Sequence, residues 1–144
     1  MMAFKIIGTG LLIMFLTTVI HGLFMMGISS TLEWRLARFG PAKGHIDKAV
    51  LVSLLTLWMF LAIIIEVWIW ALFYLYDPMI TALPDLETAF YFSMVTFTTL
   101  GYGDVVLTGN WRTLAAIQAA NGVIVFGWTT ALIFYFIQKI YQSD

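Results

Sequence analysis

The chain has 144 residues, 62% hydrophobic and 10% charged, with a mean hydropathy of +0.95 and a net charge of -1. A soluble domain of this size has no use for that much apolar surface, so the composition is that of an integral membrane protein with one membrane domain. No basic tract is present to bind nucleic acid, and the absence of cysteine excludes disulfides and thiolate metal sites.

Residues 4–28 form an apolar run of about 37 Å as helix, enough to cross a hydrocarbon core of about 30 Å. Only Lys5 offers a positive n-region, and no small-x-small cleavage pattern follows, so a first transmembrane helix is expected rather than a signal peptide. His21 lies inside it, where a hydrogen bond to a neighbour or a reach to an interface outweighs a proton or metal site. Residues 29–48 are a polar break. Ser30 and Glu33 fit a capping box, and Leu32, Trp34, Leu36 and Phe39 beside Arg35 and Arg38 predict a short amphipathic helix on the membrane surface, ended by Gly40-Pro41. Two arginines are too few for a voltage sensor and read as interface anchors.

Residues 49–76 predict a second, tilted helix of about 42 Å, stopped by Asp77-Pro78. Glu66 stands near its middle. Counted by helix rise it lies about 12 Å from His21 in depth, so direct pairing is not expected, and a protonated Glu66 bonded to Ser93 or Thr96 is preferred. Proton sensing by Glu66 is the runner-up. After a turret at 77–84, Asp85 caps a helix over 86–97, with Glu87 also suiting its positive end. At about 18 Å this helix is too short to span and must be re-entrant. Residues 111–141 predict a third, tilted helix of about 46 Å, with Trp111 and Lys139 at opposite interfaces.

Between the last two helices stands Thr98-Thr99-Leu100-Gly101-Tyr102-Gly103-Asp104. Irregular backbone at membrane depth survives only where it lines a cavity or is packed in protein. A dehydrated cation needs oxygen ligands, which a row of backbone carbonyls supplies. Aiming successive carbonyls one way requires mixed left- and right-handed backbone angles, which Gly101 and Gly103 adopt without steric cost. Tyr102 is too bulky to face ions and is expected to brace the strand against helices.

This segment resembles the signature of potassium channels, Thr-Val-Gly-Tyr-Gly, with Leu100 in place of Val. The resemblance covers residues 89–136, about a third of the chain. It implies an all-α membrane fold: an N-terminal helix and cytoplasmic linker over 1–48, and a pore domain over 49–144 comprising outer helix 49–76, pore helix 86–97, filter 98–104 and inner helix 111–141. It implies a homotetramer that passes K+ passively through the carbonyls of Thr99, Leu100, Gly101 and Tyr102, supported by Thr98, Gly103 and Asp104. Some members place a Glu where Val95 stands, near the Asp matched by Asp104. Here Tyr91 is the alternative fastener for Asp104, unless its hydroxyl meets water. Gly122 falls at the family's bending glycine, so a hinge is expected, with close packing as the alternative.

Gln118, Gly122, Val125, Thr129 and Leu132 form a stripe expected to line the cavity, with Asn121 at its edge; an interhelical hydrogen bond is the alternative for the amides. Arg35, Arg38, Lys43, Lys48 and Lys139 against Lys5 and Arg112 give an outer N-terminus, an inner C-terminus and an outer mouth carrying Asp77, Asp85, Glu87 and Asp104. The resemblance further implies a plasma membrane, with lipid and K+ as the chain's other partners. No catalytic constellation appears, and neither a gating stimulus nor a regulatory partner is readable.

Overall fold

The computed structural model describes residues 2–42 and 44–141; Lys43, counted above among the inner charges, and residues 142–144 lie outside them. Four helices account for most of the chain: α1 (Met2–Phe39), α2 (Gly44–Tyr76), α3 (Leu86–Phe97) and α4 (Trp111–Tyr141). Among the described residues there is no strand. α1, α2 and α4 are each long and apolar enough to cross a membrane. α3, at about 18 Å of rise, is not.

The long helices pack side by side, and α3 sits between α2 and α4. α1 buries Ile6, Gly10, Ile13, Thr17, His21, Ile28 and Leu32, a stripe at helical spacing that faces α2 and α4. One buried cluster joins Ile13, Val67, Trp70, Phe92, Phe97, Leu114 and Val125, which centres the core on α3 and its surroundings. A second, with Leu32, Leu55, Met59, Phe136 and Ile140, closes the opposite end of the bundle.

The stretch after Ile28 differs from the sequence expectation. Ser30 and Thr31 do not cap a new helix; their hydroxyls donate to the Gly27 carbonyl at 3.0 and 2.7 Å, and α1 runs on unbroken to Phe39. Leu32 is buried against the bundle rather than laid on a surface. From Leu32 to Arg38 five of the seven residues are leucine, arginine or alanine, which favour helix continuation, while the half-buried contacts of one face tie the segment to α2 and α4. Arg35 donates to both Asp47 carboxylate oxygens at 3.1 and 2.9 Å, and Lys139 donates to Glu33 at 3.1 Å. Gly40 ends the helix in the left-handed region, at φ 76°, where residues with a Cβ are strained.

The other boundaries follow local chemistry. Asp77 Oδ1 accepts from the Met79 amide and turns the chain after α2. Asp85 caps α3, accepting from the Thr88 amide at 2.8 Å and the Thr88 hydroxyl at 3.0 Å. The Thr88 amide, and then its hydroxyl, hold the Asp85 carboxyl below the usual carboxylate range.

Candidate functional site

The segment after α3 is shaped by where its amides go. The Thr99 amide donates to the Thr96 carbonyl at 3.0 Å, and the Leu100 and Gly101 amides both donate to the Val95 carbonyl, at 3.0 and 3.2 Å. None of these peptide bonds is cis. In a trans peptide the carbonyl points opposite to the amide hydrogen, so the Thr98, Thr99 and Leu100 carbonyls are turned away from α3. The backbone has positive φ at alternate residues: Thr99 (60°), Gly101 (56°) and Gly103 (79°). Gly101 and Gly103 adopt this at little cost. Thr99 does not, and a left-handed conformation costs a residue with a Cβ about 1–2 kcal/mol. The glycine spacing alone gave no sign of it.

Thr98 closes α3, its hydroxyl donating to the Met94 carbonyl at 2.8 Å. At the other end, the Tyr91 hydroxyl donates to Asp104 Oδ2 at 2.7 Å, the hydrogen-bonded of its two sequence readings. The Tyr91 hydroxyl holds the Asp104 carboxyl below its usual range, and the bond to Asp104 pushes the Tyr91 phenol up. Leu100 is expected to turn its side chain to the packing behind this segment, and Tyr102 to brace the segment against helices. Within one chain they are 56% and 68% exposed, so whatever covers them is not supplied by this chain's own helices.

The expected cavity stripe is corrected. Gln118, Asn121, Gly122, Val125 and Thr129 are buried inside the bundle, facing the chain's own helices. Gln118 accepts from the Tyr74 hydroxyl at 2.9 Å and donates to the Ser93 carbonyl and hydroxyl at 3.1 and 2.6 Å. Ser93 in turn donates to the Val67 carbonyl at 2.9 Å. These bonds stitch α2, α3 and α4 together. Asn121 donates to Thr17 on α1 at 2.7 Å. The amides thus make interhelical hydrogen bonds, because a buried polar group without a partner is costly. The exposed residues of α4 instead include an apolar stripe, Ala116, Ala120, Val123, Gly127, Ala131 and Phe134, spaced three or four apart. Its apolar character hid it: in a membrane helix such a face reads the same toward lipid as toward a cavity.

Gly122 is held by packing. A Cβ there would overlap the Phe97 carbonyl, so only glycine lets α4 touch the backbone at the end of α3. That contact accounts for the glycine without a hinge.

Glu66 also departs from expectation. Its Oε1 lies 2.8 Å from His21 Nδ1, both side chains fully buried, and Ser93 bonds elsewhere. The depth estimate failed because α1 does not stop at Ile28. Counted from the tight connection after Phe39, His21 and Glu66 differ by only about 6 Å of helix rise, which tilt absorbs. The second ring nitrogen of His21, Nε2, is 3.1 Å from Thr129 Oγ1 on α4.

No curated protein and no solved structure matches the chain. The family model described as "Ion channel" matches residues 52–139, more than half of the chain and the whole of α3, the 98–104 segment and most of α2 and α4; the protein belongs to that family, the potassium-channel pore-domain family.

Proposed function

We propose that this ion channel is selective for K+, and that four copies surround one axis and pass the ion down its electrochemical gradient. The observation that carries the reading is the alternation of left-handed residues at Thr99, Gly101 and Gly103 together with the amides tied back to Val95 and Thr96. That arrangement leaves successive carbonyls free on the side away from α3, where they can replace a cation's hydration shell. The carbonyls of Thr99, Leu100, Gly101 and Tyr102 and the Thr99 hydroxyl are the ligands. One chain supplies one strand, so the site needs neighbours, and the exposed Leu100 and Tyr102 side chains are surfaces for those neighbours to cover. α3 points its negative C-terminal end toward the space beneath the strands and steadies a cation there. The uncovered α4 stripe lines that space.

The orientation that fits the distribution of lysine and arginine has the N-terminus outside and the C-terminus in the cytoplasm of a plasma-membrane protein. Exposed Asp85, Glu87 and Asp104 then gather cations at the outer mouth.

Rubidium uptake into proteoliposomes, with and without barium, tests conduction, and reversal potentials under K+/Na+ gradients test selectivity. Barium-blocked uptake and a reversal potential that follows K+ are expected. Gly101→Asp or Tyr102→Asp abolishes the preference for K+ over Na+; a mutant that kept it would end this assignment. Uptake with no K+ preference would mean a weakly selective cation channel, and no uptake at all a membrane interaction protein.

A further inference from the structure

The conduction pathway makes no use of the buried acid and base that face each other at the centre of the bundle. His21 on α1 and Glu66 on α2 are both fully buried, and the imidazole touches Glu66 through Nδ1 and Thr129 of α4 through Nε2. One ring therefore joins the N-terminal helix to both long helices of the channel domain. The number of protons on the pair decides the direction of the Thr129 contact. With an imidazole and a carboxylate the pair carries one negative charge. The 2.8 Å contact then requires the ring proton on Nδ1, so Nε2 is bare and Thr129 must donate to it. One more proton makes the pair neutral. If it sits on the imidazole, both nitrogens carry hydrogen. If it sits on Glu66 Oε1 and donates to Nδ1, the ring proton moves to Nε2. Either way Nε2–H donates and Thr129 accepts. The direction of the Thr129 hydrogen bond thus reports the proton count.

A second observation marks this seam as unsaturated. Glu66 Oε2, Trp70 Nε1 one turn further along α2, and Asn121 Oδ1 on α4 are all buried without a hydrogen-bond partner. An anionic Glu66 would therefore have a single donor, which is a costly way to bury a charge. No other carboxylate, ammonium or guanidinium on the packed elements is close enough to compensate. The nearest are Lys5 and Glu33 on α1, Lys48 and Asp77 at the ends of α2, and Arg112 and Lys139 on α4, each about 15 Å or more of helix rise away, while α3 offers only Glu87 in its first turn. The neighbouring phenols are Tyr74 on α2, bonded to Gln118, and Tyr135 on α4.

We propose that His21 and Glu66 form a buried proton-binding site whose occupancy, read by Thr129, sets how tightly α1 holds α4. The neutral pair satisfies the three-helix contact. Loss of the proton leaves a buried anion, reverses the Thr129 bond and loosens the seam.

The test uses the full chain in lipid bilayers, with His45→Gln removing the other histidine. Nitrogen NMR of His21 follows Nε2, and rubidium flux follows conduction. Nε2 is expected to lose its proton as pH rises. Flux is expected to change on the order of tenfold around the same midpoint, the size of a typical coupling between sites. Thr129→Val keeps the side-chain shape and flattens the flux profile while His21 still titrates; Thr129→Ser, which retains the hydroxyl, restores it. An Nε2 that keeps one protonation state throughout, or a flux profile indifferent to Thr129→Val, overturns the proposal. The flux arm rests on the channel reading and the NMR arm does not. If wild-type vesicles carry no rubidium at any pH, that reading fails, and the site stands or falls on whether His21 titrates with a midpoint that Thr129→Val shifts.

Discussion

Single residues fix the 98–104 segment from both ends. At the outer end the Tyr91–Asp104 bond joins α3 to the chain beyond Gly103. Because the bond lowers the Asp104 pKa, its contribution is complete above the ordinary carboxylate pKa and fades as pH falls through the lowered value of the folded protein. Tyr91→Phe is expected to move the Asp104 titration upward in carbon NMR, and the acid loss of rubidium flux with it; an unmoved titration would show the bond to be incidental. At the inner end Gly122 abuts the Phe97 carbonyl. Gly122→Ala must push α3 and α4 apart and is expected to cost about 1–3 kcal/mol of stability, as overpacking does. On the proposed K+ reading it should also degrade selectivity, because Phe97 directly precedes the 98–104 segment; thermal unfolding in detergent and reversal potentials measure the two effects. The segment was legible because positive φ leaves a mark in sequence as glycine. Thr99 left no such mark, and Gly122 was ambiguous because what demands glycine there is a backbone atom 25 positions away.

Among elements, the three membrane-length helices were legible from apolar runs, and the helix from Asp85 from its cap, since both signals are local. Facing was not. The polar residues of α4 fit a cavity lining or, for the amides, interhelical hydrogen bonds; they look inward, where Tyr74, Ser93, Thr17 and His21 wait as partners. Hydropathy cannot separate those two destinations, because either one relieves a polar group of lipid. The Tyr74–Gln118–Ser93–Val67 run makes α3 a pinned element rather than a resting one. Gln118→Leu leaves the Tyr74 hydroxyl unpaired in a buried site and is expected to destabilise the protein by about 1–3 kcal/mol. Chemical denaturation of the detergent-solubilised protein checks this, and a loss within error of zero would mean Tyr74 finds another acceptor.

For the whole molecule, the exposed Leu100 and Tyr102 and the uncovered α4 stripe call for neighbours. Native mass spectrometry is expected to give four copies, and a stable monomer would contradict the reading. No role for the first helix is readable from its residues alone. In the structure α1 lies along α4 from Gly10 against Ile117, through Thr17–Asn121 and His21–Thr129, to Glu33–Lys139. The part of the chain from α2 onward is consequently not a transplantable module. Cut free of α1, it would offer acyl chains a carboxyl, an amide and a hydroxyl that nothing greasy can satisfy. Chimaeras that graft this pore onto a foreign leading helix should insert poorly unless they bring a histidine and a threonine of their own, four residues apart.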